Sequence, residues 1–490
     1  MRSRSLFLLT GMLVLAALLA GCPSPPAAPD KPWGPTSAAR NAFTSCSTRV
    51  ADAGAGDVAY QFDWGDGVQS AWSALQPAGV AFGDTHTYTL TGNLEVRARA
   101  KTARSGASDW SEPLFLRVEV GEGELSRRFG FADPEDPEDS ADFSINTFAL
   151  GPDGRSYVGC EWALLFRRAD GIRDKEFYTE DLDEFLAAPS LSDAGVLHIA
   201  CANETLYAFN ADGTRRWAWA CGDEVTATTA LGADGTVYLH TASESLFAVS
   251  AVGARHWSFP SSGNSSPVVG ADGTVYAANQ EGRIFALDPS SGTEKAQYGL
   301  SSEAIDASPA LDPGRNRLYV GDEAGNFVAL NLQSFTPDWE LASIGEAPSS
   351  AVVGADGTVF VGAGGRLLAL DHSTGATCWT FQPPLAGAVS TPALSDQGLV
   401  YVAVTSGRKD ADGVDSLYAV NAANGARRWA IGLDYGFWEG FSSAPKIDDR
   451  GYVYVGNGLY AWIIRGLGGP APSPWPMFQR DGANSGRARN

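Results

Sequence analysis

From about residue 145 to residue 465, short apolar runs and polar turns return along the chain in one fixed order. Each unit has a small polar pair, often with Pro, then an apolar step and Ala-Asp-Gly-Thr-Val-Tyr. A Leu-(Tyr/Phe/Leu)-Ala-(Leu/Val/Phe) run follows, then a Gly with a Trp four residues on. Ser265–Tyr276 and Ser349–Phe360 are clear copies. Aligning the ring that ends the Gly-Thr-Val-Tyr element gives Tyr157, His198, Tyr238, Tyr276, Tyr319, Phe360, Tyr401 and Tyr454, spaced 41, 40, 38, 43, 41, 41 and 53 residues apart. The long last step comes from an insertion, Thr405 to Val414. A period near 41 that holds about four short strands is the size of one propeller blade. One four-stranded unit cannot bury both of its faces, but blades stacked around a ring cover one another. Asp153-Gly154, Asp234-Gly235, Asp272-Gly273 and Asp356-Gly357 are predicted hairpin turns. Trp217, Trp257, Trp379 and Trp429 fall on the outer strand, where a large flat ring suits packing between blades.

Residues 35–120 carry a different pattern, strict alternation of apolar and polar positions, as in Val58–Trp64, Leu94–Ala100 and Leu114–Val120. Such alternation fits sheets with one buried face. The predicted class is therefore all-β: an eight-bladed β-propeller preceded by an immunoglobulin-like β-sandwich. Three strands are readable in the eighth unit, at 444–447, 452–455 and 459–463. Leu125–Phe131 looks like the outer strand Arg215–Trp219, so it is predicted to complete that blade and close the ring. The tail, 467–490, is expected on the first or last blade, or as a competitor for the closing role.

The N-terminus is a targeting signal. Arg2 and Arg4 precede an apolar run, Leu6 to Leu18, too short to span a bilayer stably. Leu19-Ala20-Gly21-Cys22 resembles the lipobox of bacterial lipoproteins. It implies a signal peptide over 1–21, a lipid on the Cys22 thiol, and a Pro-rich tether over 22–34. Pro23, which is not Asp, favours the outer membrane by analogy. The net charge of −22 argues against nucleic acid and against electrostatic adhesion to an anionic membrane.

Ala369-Leu370-Asp371-x-x-x-Gly375-x-x-x-Trp379 resembles the pyrroloquinoline-quinone-type (PQQ-like) repeat, over about 145–465. That family builds eight-bladed propellers, including the lipoproteins that assist outer-membrane β-barrel assembly. Lys175 and Ala296 stand where two units lack the docking Trp, so those interblade contacts are expected to be weaker. Tyr60–Gly67, Ser70, His86–Tyr88 and Val96–Arg99 resemble a PKD-type domain, and Trp110–Pro113 resembles fibronectin type III modules. Asp63 and Asp66 are expected to cap a turn, a calcium ion being the alternative. The acidic run Asp133–Asp139, within a linker over 121–146, reads as solvated, again with calcium as the alternative.

Catalytic signatures fail on context. Quinoprotein dehydrogenases of the PQQ-like class hold their cofactor against adjacent cysteines, and no two cysteines adjoin here. Ser443-Ala-Pro-Lys446 matches Ser-x-x-Lys, but in an inner-strand register and not at the start of a helix. Beyond Cys22, five cysteines remain: Cys46, Cys160, Cys201, Cys221 and Cys378. At least one thiol must therefore stay unpaired, and no pairing is deducible. The expectation is a non-catalytic envelope scaffold, with no cofactor and no metal, binding envelope or surface proteins or polysaccharide; an outer-membrane protein assembly factor is the first alternative, and a quinone-dependent dehydrogenase the remote one. Ser265, Ser308, Ser349, Ser390 and Ser442 are expected to line a polar channel. Arg408, Lys409 and Asp410, in the insertion, form the candidate partner loop.

Overall fold

The computed structural model describes residues 24–490 except 52–55, 131–147, 161–162, 169–172, 180–182, 186, 244, 385–386, 406–414, 434–442, 458–459, 482–483 and 489–490. It divides into two units, residues 1–122 and 123–490.

In the first unit, five strands form one sheet, in which Ser37–Ala39 runs parallel to Leu114–Glu119. Phe43–Thr48 and Phe82–Thr87 pair as a second sheet. Alternation puts Cys46, Phe62, Trp64, Val96, Leu114 and Leu116 into one core fed from both sheets. Two Ser-x-Trp-Ser segments flank the central strand pair. Ser70 and Ser73 accept the N–H groups of Phe62 and Tyr60, and Ser108 and Ser111 accept those of Ala100 and Ala98. Arg99, between them, lies 4.4 Å from the ring centre of Trp110 and 5.5 Å from that of Trp72. Asp63 accepts from the Gly65 N–H, and Asp66 accepts from the Val68 N–H and meets His86 Nε2 at 2.7 Å.

The second unit is the propeller. Its described residues form eight sheets, or blades, spanning 148–177, 190–220, 230–260, 268–299, 310–341, 352–381, 388–432 and 446–465. The last is completed by Leu125–Gly130, antiparallel to Tyr460–Arg465. The innermost strands are only two or three residues long. The core lies between blades and not within them: Tyr157, Phe166, Leu197 and Phe209 join the first two, and Phe148, Val158, Tyr454 and Ile463 join the first to the last. The ring is thus closed by packing as well as by strand pairing.

In six blades a bulge of the ladder falls one residue after the alanine that faces the docking position: Ala208, Ala248, Ala286, Ala329, Ala369 and Ala419. The repeat therefore encodes a bend as well as a strand, because a bulge adds local twist and re-aims the outer strand.

Candidate functional site

Two places in the propeller are built by the repeats acting together, the contacts between blades and the axis.

Between blades, each docking Trp lies flat on a glycine of the next blade. The Trp217, Trp257, Trp339 and Trp379 indole N–H groups donate to the carbonyls of Ala251, Pro289, His372 and Ala422 at 2.8–3.0 Å. A Cβ on Gly253, Gly292, Gly375 or Gly425 would stand 2.5–2.9 Å from the ring beside it, and all four glycines have positive φ. No other residue serves both demands. Behind each Trp sits the aligned ring of its own blade: His198, Tyr238, Tyr319, Phe360 and Tyr401 lie 5.7–5.9 Å from Trp217, Trp257, Trp339, Trp379 and Trp429.

Trp339 escapes a Gly-x-x-x-Trp search because Phe335 stands four residues before it. Phe335 adopts φ 55°, the conformation a glycine takes in the other blades. Its ring packs where Ala296 of the preceding blade has left the docking position vacant, stacked 6.3 Å from Tyr276. Large and small have exchanged places across this one junction, so the docking space left by Ala296 is filled by Phe335. At the other exception, the aliphatic stem of Lys175 lies over Gly213.

On the axis, the predicted serines do not share one register. Counting back from the strand pairs, Ser265, Ser349, Ser390 and Ser443 are equivalent, and Ser308 is equivalent to Ser266 and Ser350. Ser442 lies outside the described residues. Ser349, Ser390 and Ser443 accept the N–H groups of Gly362, Ala403 and Gly456 in their own blades. Ser266, Ser308 and Ser350 accept from Thr228, Ser266 and Ser308, each in the preceding blade. These hydroxyls bond backbone, within blades and across their seams.

The C-terminal tail runs across the inner strands. The N–H groups of Leu231, Val269, Val353 and Leu394 donate to the carbonyls of Ser485, Gly486, Trp475 and Pro476 at 2.7–2.9 Å. Ala488 and Ala471 return bonds to the carbonyls of Val269 and Leu394. The Asn484 amide donates to the carbonyls of Phe148 and Pro189, at 2.8 Å each. Trp475 and Met477 are fully buried, in two different interblade cores. Lys446 holds the register position filled elsewhere by Ser, Ala or Val. Its buried ammonium donates to the Phe478 and Asp481 carbonyls. Burial pushes its pKa down to about 7, against the pull of the Asp481 charge.

Residues 173–381 and 338–461 match a family model described as outer membrane protein assembly factor BamB, together more than half of the chain. The chain belongs to that family. Its BamB relative from Yersinia pestis is 32% identical over 140 residues, 27% of this chain and 34% of that protein. The serine/threonine-protein kinase AfsK of Streptomyces griseus is 31% identical over 162 residues, 32% of this chain and 19% of that protein. The chain thus spans about a third and a fifth of the curated relatives it matches. In three dimensions it resembles the crystal structure of BamB from Moraxella catarrhalis, with a TM-score of 0.55 and 16% identity over 70% of this chain and 99% of the other.

Cys22, the acidic run 133–139, and Arg408, Lys409 and Asp410 of the insertion lie outside the described residues. Ser443 and Lys446 of the Ser-x-x-Lys match have the separate partners given above. Among the described residues, no group of three or more His, Cys, Asp or Glu side chains is placed to hold a metal.

Of the described cysteines, Cys46, Cys160, Cys201 and Cys221 are buried and Cys378 is exposed. Burial pushes the thiols of Cys46 and Cys201 up to about 11 and that of Cys221 to about 12. Partial desolvation and the charges of Asp371 and Asp356 raise Cys378 as well, so access decides: a thiol reagent at pH 8 should modify Cys378 first and the buried four only on unfolding. Mass spectrometry of the native labelled protein reads this directly, and early modification of Cys201 or Cys221 would contradict it.

His198 and His240 are buried and neutral. Burial lowers them to about 3 and about 4, with the charge of Arg216 adding to the effect at His198. Below the ordinary pKa near 6.5, the unfolded chain takes up protons that the folded one refuses, so stability falls as pH drops from about 6.5 toward 4. His198→Phe, which copies the Phe360–Trp379 arrangement, should relieve up to about 2 kcal/mol of that loss at pH 5 and change little at pH 7.5. Urea unfolding at the two pH values tests this. An equal effect at both would show a packing change instead.

Proposed function

We propose that this protein is a lipid-anchored scaffold of the bacterial envelope that serves outer-membrane protein assembly, binding polypeptide partners through its propeller without catalysis of its own. The observation that carries this reading is the BamB family match across residues 173–461, within a propeller whose ring is fully closed. Acylated Cys22 anchors it to the membrane, and the Pro-rich segment sets it off from the lipid as far as Asp30, beyond which Asp30 and Trp33 already bond Arg49 and Ser47 of the first unit. Partner contact falls on the insertion in the seventh repeat, with Arg408, Lys409 and Asp410 as the first residues to alter. That loop brings positive charge to an acidic chain, and loops on rigid scaffolds commonly carry recognition.

A second reading, surface-displayed recognition of proteins or polysaccharide, is favoured by the separate β unit of residues 1–122, which lies outside the family match. Crosslinking of the tagged protein in intact cells, run beside protease shaving, separates the two. Capture of β-barrel assembly components by a protease-protected protein supports the assembly role. A shaved protein crosslinked to surface polysaccharide or surface proteins supports recognition and removes the assembly role. Cys22→Ser should release the protein from the membrane fraction in the same cells.

A further inference from the structure

The innermost strand of a blade is paired on one side only. Its other edge presents backbone N–H and C=O groups, which accept an extended chain laid against them whatever that chain's sequence. Leu231, Val269, Val353 and Leu394 are equivalent positions in four blades, each one residue after the position that pairs with the aligned ring. All four N–H groups are taken by carbonyls of residues 475–486. The tail meets the inner strands at single bridges, Trp475 with Val353, Pro470 with Ser395 and Arg487 with Val269, with bends and turns over 472–474 and 477–481, and Trp475 and Met477 are its buried anchors.

Its fit is incomplete. Gln479 is 1% exposed, yet both atoms of its amide lack a hydrogen-bond partner among the described residues, as does Asn484 Oδ1. Gln479, Arg480 and Asn484 have φ of 52°, 73° and 54°, a region that costs non-glycine residues energy. Unpaired buried polar atoms and left-handed backbone both oppose the bound state, whereas the edge bonds and the two anchors favour it.

We propose that the axial mouth of the propeller is an acceptor site for a polypeptide segment with an aromatic anchor, which it holds by backbone bonds at separate points, and that the chain's own residues 470–481 and 484–488 are its resident, displaceable occupant. The site goes beyond the envelope role proposed above. Failure of the crosslinking experiment would leave it standing, because it is read on the purified protein.

Hydrogen exchange on the full chain should show the amides of Leu231, Val269, Val353 and Leu394 opening together, ahead of the strand-to-strand amides of the same blades. In full-length Trp475→Ala, those four should exchange on the order of a hundredfold faster, as expected when a buried Trp anchor is lost. A labelled synthetic peptide of residues 470–490 should then bind this variant saturably at one site, and the wild type at least about tenfold more weakly, because the resident tail competes. A peptide of scrambled order should bind neither. Exchange of the four amides only with global unfolding would overturn the proposal, and this measurement needs no substitution. Release of the four amides in Trp475→Ala without peptide uptake would also overturn it. Should that variant not fold, Met477→Ala replaces it, with the same readings expected.

Discussion

Ala296→Trp alone should destabilise the propeller by about 2–3 kcal/mol, and Phe335→Gly alone by about 3 kcal/mol or more, yet the double substitution should recover most of both losses. The first change forces an indole into space already filled by the Phe335 ring, which packs with Ala296 in one interblade core. The second empties that space and leaves a cavity beside Tyr276, on which the ring is stacked. Together they rebuild the arrangement of Trp257 on Gly292 or Trp379 on Gly425, with a glycine returned to the left-handed position that Phe335 holds at φ 55°. Denaturant unfolding of the four proteins gives the coupling directly, with about 2 kcal/mol or more expected. Simple additivity would mean that the two positions do not compensate one another.

Gly123→Val should open the seam of the ring, at a cost on the order of 3 kcal/mol. Gly123 has φ +75°, and a Cβ there would stand 3.0 Å from the Trp429 ring, as at the other Trp–Gly junctions. It also begins the closing segment: its N–H donates to the Arg465 carbonyl, and the Arg465 N–H donates to that of Glu124. The ladder between Leu125–Gly130 and Tyr460–Arg465 joins the two ends of the propeller sequence, so nothing local re-forms it once the seam is strained. Amides of this ladder should exchange faster in the variant while those of the third and fourth blades keep their protection. Gly299→Val is the control, since a Cβ at Gly299 meets open space, and it should cost less than about 1 kcal/mol. If Gly123→Val behaved like Gly299→Val, the seam would be held by the strand pairing alone.

The repeat was legible in the chain because every blade meets the same packing problem and answers it with the same residue types at the same spacing. An Asp-Gly turn, an aromatic ring, a small residue opposite the docking position and a Gly-x-x-x-Trp junction each respond to a local demand, and local demands leave local patterns. Leu125–Gly130 could be recognised as a displaced outer strand for the same reason. Trp339 was hidden because its glycine had become Phe335, and what permits that residue, Ala296, lies 39 positions earlier in another blade. The serine register slipped by one residue because a blade can keep Ser at either position of the pair, the first in Ser443-Ala444 and the second in Ala307-Ser308, and only the strand partners tell the positions apart.

By itself, then, the sequence determined the all-β class, the repeat count and the interblade logic, since all three rest on side-chain size and backbone conformation at fixed spacing. Only the tertiary structure decided where the tail goes. Its edge bonds run between backbone atoms that every residue possesses, so they leave almost no trace in residue type. Lys446 shows the same limit: in sequence it belonged to a chance Ser-x-x-Lys match, and in the folded ring its amine donates to the carbonyls of Phe478 and Asp481.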